Sequence, residues 1–283
     1  MVAHRHVFVG GLHRSGTSVL ARWLTRHSAI SGLSHTGVPE DEGQHLQDVY
    51  PAARQLGGPG LFGFSDQAHL TDRIVRSGGE DRVQLMKAWG PYWDLGRPVL
   101  LEKSPPNLLR MRFLQAIFPK ASFVCIVRHP LAVAIATQKW SNTSITSLVG
   151  HWLRCHRVLR DDARHVRRLR LVRYEDLVSS PATALDSIWR FLNLKPEEVH
   201  PEVTSALNGE YFDRWRAERR ADSELEEVFS FERAVKSFGY SLRDPWQYLP
   251  VRNYLAPLFV GPAISRQRLP RGLRASIEKK LGK

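Results

Sequence analysis

The sequence predicts an α/β fold, a parallel sheet flanked by helices in three layers, followed by a mostly helical C-terminal part. Short β-rich apolar runs alternate with longer segments of helical period, the mark of a parallel sheet covered on both faces. Each run also ends in a polar cluster, as strands do when their carboxyl ends line a ligand crevice. The 283 residues, 42% of them hydrophobic, suffice to bury one large core. We therefore expect a single domain over 1–283, with its α/β core at about 5–195 and a helical extension at about 196–283.

Four strands are predicted, at Val7 to Val9, Val99 to Leu101, Phe123 to Val127 and Leu169 to Val172. Little polar interruption breaks them, as befits strands buried on both faces. The clusters that close them are Gly10 to Ser18, Glu102 to Asn107, Arg128 to Pro130 and Arg173 to Asp176. Helices are predicted at Thr17 to His27, Gln44 to Gln55, Leu70 to Trp93, Asn107 to Phe118, Ala132 to Trp140 and Ser147 to Arg168. Gly57 to Phe64, with four glycines and a proline, reads as a turn region or mobile lid. Beyond Ser180 helical segments follow at Ala182 to Leu192, Tyr211 to Arg220 and Ser223 to Phe238, and the basic stretch Ser265 to Lys283 is expected at the surface.

A formal charge of +13, from 41 Lys and Arg against 28 Asp and Glu, calls for an anionic partner. Two cysteines, Cys125 and Cys155, supply neither a disulfide framework nor a metal-ligand spacing. No apolar stretch suits a signal peptide or a membrane span of ~20 residues. These features lead us to expect a soluble, cytoplasmic protein without a transmembrane segment.

The segment Gly11-Leu-His13-Arg14-Ser15-Gly16-Thr17-Ser18 has the form of a phosphate-binding loop, directly after a strand and opening a helix. Its backbone N–H groups can cradle anionic oxygens at the positive end of that helix. A nucleotide triphosphatase loop places Lys before its final hydroxyl residue, whereas Thr17 stands there in this chain and the positive charge has moved to Arg14. A γ-phosphoryl group needs that Lys and a metal to offset its charge; a sulfonate can be managed by fixed donors and cations alone. The loop thus points away from ATP chemistry and calls for no metal.

Three further clusters fall on the same crevice rim. Lys103, in Glu102-Lys103-Ser104-Pro105-Pro106, can stabilise charge developing on a leaving oxygen. Arg128, in Arg128-His129-Pro130, can take a phosphate bidentately. Pro39 to Gln44 holds three adjacent carboxylates, and Glu40 or Glu42 could take a proton from an attacking hydroxyl, with His35 as the alternative base.

Arg14-Ser-Gly-Thr-Ser18 resembles the 5′-phosphosulfate loop of sulfotransferases, of the branch that includes tyrosylprotein sulfotransferases and many bacterial enzymes. The similarity spreads over roughly the first 180 residues and into Phe238-Gly239-Tyr240. The resemblance implies a P-loop nucleotide-hydrolase-like fold and a sulfuryl donor, 3′-phosphoadenosine 5′-phosphosulfate (PAPS). It implies that His13, Arg14, Ser15, Gly16, Thr17 and Ser18 bind the donor, that Lys103 acts on it, and that a Glu after the first helix is the base. Arg128 would bind the 3′-phosphate together with a Ser eight residues on; here that position is Ala136, and Thr137 next to it carries the hydroxyl. Tyr174-Glu175-Asp176-Leu177 also matches and reads as structural.

The expected activity is in-line transfer of a sulfuryl group to a hydroxyl or amine of a small-molecule or carbohydrate acceptor. Competing readings are a P-loop small-molecule kinase and a basic nucleic-acid-binding protein whose clusters at Arg164 to Arg170 and Arg214 to Arg220 track phosphates. The missing loop Lys speaks against the first. Helical placement of the arginine clusters speaks against the second, since solvated helix faces are commonly charged.

Overall fold

The computed structural model describes residues 4–198, 207–218, 222–250 and 254. Five parallel strands, β1 (Arg5–Gly11), β2 (Ile30–Gly32), β3 (Val99–Lys103), β4 (Ser122–Val127) and β5 (Leu169–Arg173), form one sheet in the order β2-β3-β1-β4-β5. The chain leaves β1 toward one edge and later returns to add β4 on its other side. That reversal of strand order at β1 opens a crevice at the carboxyl ends of β1, β3 and β4.

Alternation along each strand splits the core in two. Phe8, Leu100, Phe123 and Cys125 point into one apolar cluster, while Val7, Val9, Leu101, Val124 and Ile126 point into the other. The first cluster is capped by α2 (Glu80–Trp89), α3 (Met111–Ile117), α4 (Pro130–Ser141) and α5 (Ile145–Asp162); the second by α1 (Thr17–Leu24), α6 (Tyr174–Ser179) and α7 (Pro181–Phe191). The chain continues into α8 (Leu207–Ala217), α9 (Asp222–Phe229) and α10 (Glu232–Lys236). No helix of the described residues is long and apolar enough to cross a membrane.

All four predicted strands are present, and β2 is an addition. Three residues are too few to carry a periodic signal. The helix expected over Gln44 to Gln55 does not form; short 3-10 turns at Gly43–His45 and Ala53–Leu56 stand there. The Gln47 side chain accepts from the backbone N–H groups of Val49 (2.7 Å) and Tyr50 (3.0 Å), competing with helical pairing, and Pro51 follows. In Leu70 to Trp93 the α-helix is confined to Glu80–Trp89, because Gly78 and Gly79 take left-handed φ values of 79° and 77° just before it. Likewise α5 stops at Asp162, so Arg168 lies outside a helix and Arg170 lies in β5.

The glycine-rich stretch Gly57 to Phe64 is packed rather than lid-like. Phe62 is fully buried, and a Cβ added at Gly63 would lie 2.2 Å from Cys155 Sγ. The glycines there let the backbone sit against α5. Ser265 to Lys283 lies outside the described residues.

Candidate functional site

The phosphate-loop segment runs from the end of β1 into α1. Gly16 has φ 97°, and a Cβ there would lie 2.7 Å from the Tyr174 ring, so only glycine fits the turn. Buried Ser15 donates both its N–H (3.0 Å) and its hydroxyl to the Leu12 carbonyl, which closes the loop internally. No side chain caps α1 and its first turn contains no acidic residue. Its leading N–H groups are thus directed at the crevice with the positive end of the helix behind them.

Parallel pairing sets Lys103 beside Val9 at the end of β3. Lys103 Nζ donates to Ser18 Oγ (3.2 Å) and to Glu42 Oε1 (3.1 Å), and both Lys103 and Glu42 are buried. The ammonium therefore bridges the phosphate loop and the acidic segment. The other carboxylate oxygen of Glu42 accepts from Gln44 Nε2 (2.5 Å), with His45 Nε2 at 3.7 Å. Burial pushes the Glu42 carboxyl above its ordinary value of 4.5, and the Lys103 charge and the Gln44 hydrogen bond oppose that only in part.

Glu40 and Asp41 stand apart from this arrangement. Glu40 is exposed in a left-handed turn with φ 55°, and Asp41 accepts from Thr36 N (3.0 Å) and Thr36 Oγ1 (2.6 Å), fixing that turn. His35 is exposed as well. Of the carboxylates and the histidine considered as bases, only Glu42 is brought onto Lys103.

A second, fully buried carboxylate explains why. Glu102 accepts from Gly43 N (3.0 Å), Ser104 Oγ (2.5 Å) and Asn107 Nδ2 (2.6 Å), while Ser104 Oγ also accepts from Gln44 N (3.0 Å). These bonds staple segment 42–44 to the end of β3. Burial raises the Glu102 carboxyl too. Neither Glu102 nor Gln44 had a sequence signal of its own; their role shows only when β3 and the 43–45 turn are adjacent.

Across β1 from Lys103, Arg128 closes β4. Its Nη1 donates to the Arg14 carbonyl (2.8 Å) and its Nε to Asn208 Oδ1 (2.7 Å), while Nη2 is buried with no hydrogen-bond partner among the described residues. The guanidinium lies 4.1 Å over the Tyr174 ring and 5.4 Å from that of Tyr211. Burial lowers its pKa, and Tyr174 and Glu175 counter that. Arg14 is itself exposed, 4.7 Å from the Trp140 ring.

His13 and Thr137 line one cavity. Leu12, Gly60 and His151 line it with them, its volume is about 10 Å³, and among the described residues neither His13 Nδ1 nor Thr137 Oγ1 has a hydrogen-bond partner. Burial, Lys103 and His45 push His13 down to about 3, so its ring is neutral. Thr137 makes no hydrogen bond to Arg128 among the described residues. Trp89, Trp93 and Trp215 are core residues.

A family model described as "Sulfotransferase family" matches residues 6–198. The chain belongs to the sulfotransferase family. Among solved structures, this sulfotransferase is similar to the sulfotransferase domain of the Synechococcus PCC 7002 olefin synthase, at 20% identity and TM-score 0.50, covering 84% of this chain and 96% of that one. It is also similar to a sulfotransferase from Alicyclobacillus acidocaldarius (16%, TM-score 0.47, 81% and 96% covered) and to a mouse sulfotransferase complexed with PAP (11%, TM-score 0.40, 98% and 82% covered). No curated protein matches the sequence. The five-stranded parallel sheet with helices on both faces and a helical C-terminal part is the fold expected of this family.

Proposed function

We propose that this sulfotransferase moves the sulfuryl group of PAPS to a hydroxyl or amine of a small-molecule or carbohydrate acceptor, with Glu42 as base and Lys103 as the cation at the leaving oxygen. The observation that carries the reading is the position of Lys103 Nζ, 3.2 Å from the phosphate loop at Ser18 and 3.1 Å from Glu42. Lys103 thus links the loop proposed to hold the donor with the carboxylate proposed to take the acceptor's proton, and an in-line displacement needs both within reach of one transferred group.

In the proposed step the acceptor oxygen or nitrogen forms a bond to sulfur as the bond from sulfur to the bridging oxygen breaks. Glu42 takes the acceptor's proton. The electron pair of the broken bond stays on the 5′-phosphate of 3′-phosphoadenosine 5′-phosphate (PAP), where Lys103 and the loop N–H groups meet it. The raised carboxyl of Glu42 suits this role, since a base works best when its pKa approaches the working pH. Arg128, with one buried nitrogen unpaired among the described residues, is proposed to hold the 3′-phosphate. Thr137, next in sequence to the expected Ser position, is proposed to join it, its buried Oγ1 having no hydrogen-bond partner among the described residues.

Thermal melting tests the donor class. PAP is expected to raise the melting temperature more than ATP with magnesium does. A larger shift with ATP and magnesium, or no shift with PAP, overturns the reading.

A further inference from the structure

Arg128 does not stand alone at the end of β4. Its Nε is held by Asn208, a residue of α8 that lies beyond the 6–198 span of the family model. The Asn208 amide is itself held, because Nδ2 donates to Glu175 Oε1 at 2.7 Å. Glu175 is fixed in turn by His129 N on Oε1 (3.0 Å) and by the Tyr240 hydroxyl on Oε2 (2.9 Å). The orientation of the amide is determined by its partners: Arg128 Nε can only donate and the carboxylate can only accept.

This placement has an electrostatic consequence. Asn208 stands between a buried guanidinium and a buried carboxylate and bonds to both. A direct Arg128–Glu175 ion pair would saturate the guanidinium and cancel its charge toward an incoming anion. The neutral amide instead aligns its dipole between them. It leaves Arg128 with Nε and Nη1 committed and Nη2 available.

We propose that Asn208 is a positioning residue for Arg128, separating it from Glu175 so that its free nitrogen meets the 3′-phosphate of the donor. The proposal rests on the reading of Arg128 as the 3′-phosphate anchor. It adds that a helix of the C-terminal part decides how strongly this sulfotransferase distinguishes a 3′-phosphorylated nucleotide from an unphosphorylated one.

The test compares the affinities for PAP and for adenosine 5′-monophosphate, which differ only in the 3′-phosphate, by calorimetry. Wild type is expected to prefer PAP. Asn208→Leu is expected to lower that preference about tenfold, the scale of one hydrogen bond to a charged group, with the affinity for the monophosphate unchanged. Glu210→Ala, at an exposed site on the same helix, is expected to leave the preference intact. Should Asn208→Leu fail to fold by thermal melt, Asn208→Asp decides. It conserves the size, but its added charge neutralises Arg128 and faces Glu175, so the same tenfold loss is expected. A preference for PAP that survives in the folded variant overturns the proposal while leaving the Arg128 anchor standing; so does an equal loss for both nucleotides, which would mark Asn208 as merely structural. A wild type that binds both nucleotides alike removes the Arg128 reading and this inference with it.

Discussion

Replacing Lys103 with Met tests the central ion pair of the site through stability, with no acceptor needed. The Lys103 Nζ to Glu42 Oε1 distance of 3.1 Å corresponds to roughly 5 kcal/mol of attraction at an effective dielectric of about 20. Both side chains are buried, so removing the cation strands a carboxylate, which costs about 3–5 kcal/mol in comparable buried pairs. The cost should depend on pH. Burial already raises the Glu42 carboxyl above 4.5, and Lys103 is the largest opposing influence, so Lys103→Met raises it further. A carboxyl that binds its proton more tightly in the folded than in the unfolded state loses stability as pH rises above the unfolded value. The deficit of the variant is therefore expected to be small near pH 4.5 and to grow toward pH 8. Denaturant unfolding of wild type, Lys103→Met and Lys103→Met/Glu42→Gln at both pH values measures it. The double variant should recover most of the loss at pH 8. A deficit that is the same at both pH values, or a double variant no better than the single one, would refute the electrostatic account.

Glu42→Gln is expected to lower conversion of PAPS to PAP in the presence of hydroxyl acceptors by about 10²–10⁴-fold, whereas Glu40→Gln, altering an exposed side chain, should leave it near wild type; the opposite ranking would reassign the base. The same assay should show an acid limb displaced above the ordinary carboxylate range, with turnover falling as pH drops, because burial raises Glu42. Acid should also unfold the protein early. Burial holds His129, His151 and His156 down to about 3 against an ordinary 6.5, so the unfolded chain takes up protons first as pH falls below 6.5. Each such histidine costs about 2 kcal/mol at pH 5 relative to neutral pH. Chemical denaturation at pH 7.5 and pH 5 reads this directly, and equal midpoints would contradict it.

Much of the fold was legible because it is written in local patterns. The runs Val7 to Val9 and Phe123 to Val127 are apolar throughout, and both are central strands buried on each face. The loop at Arg14 to Ser18 follows directly in sequence, so its place at a helix N-terminus needed no tertiary knowledge. Where competing local bonds decide the backbone, legibility ended: Gln47 captures N–H groups that a helix over Gln44 to Gln55 would have used. The choice between Glu40 and Glu42 was likewise beyond a one-dimensional reading. Both flank Asp41, and only the turn fixed by the Asp41–Thr36 bonds turns one inward and leaves the other exposed.

The two cations of the site show the same division from the energetic side. Lys103 ends β3 and Arg128 directly follows β4, on either side of β1, yet each is buried and so needs partners to offset desolvation. Those partners come from far along the chain: Glu42 for Lys103, and the Arg14 carbonyl and Asn208 for Arg128. The two cations are met to different degrees among the described residues. Lys103 divides its bonds between a carboxylate and the neutral Ser18 hydroxyl, whereas Arg128 has only neutral acceptors and one nitrogen without a partner there. A protein selected for stability alone would saturate such groups, because an unmet buried donor costs about 1–3 kcal/mol. An anion that brings an oxygen to the Arg128 nitrogen removes that cost on binding. On the proposed reading, the unmet Arg128 donor that weakens the free protein is met by the donor's 3′-phosphate while Lys103 faces its 5′ end, so a ligand charged at two separated positions is expected to bind more tightly than one carrying a single phosphate.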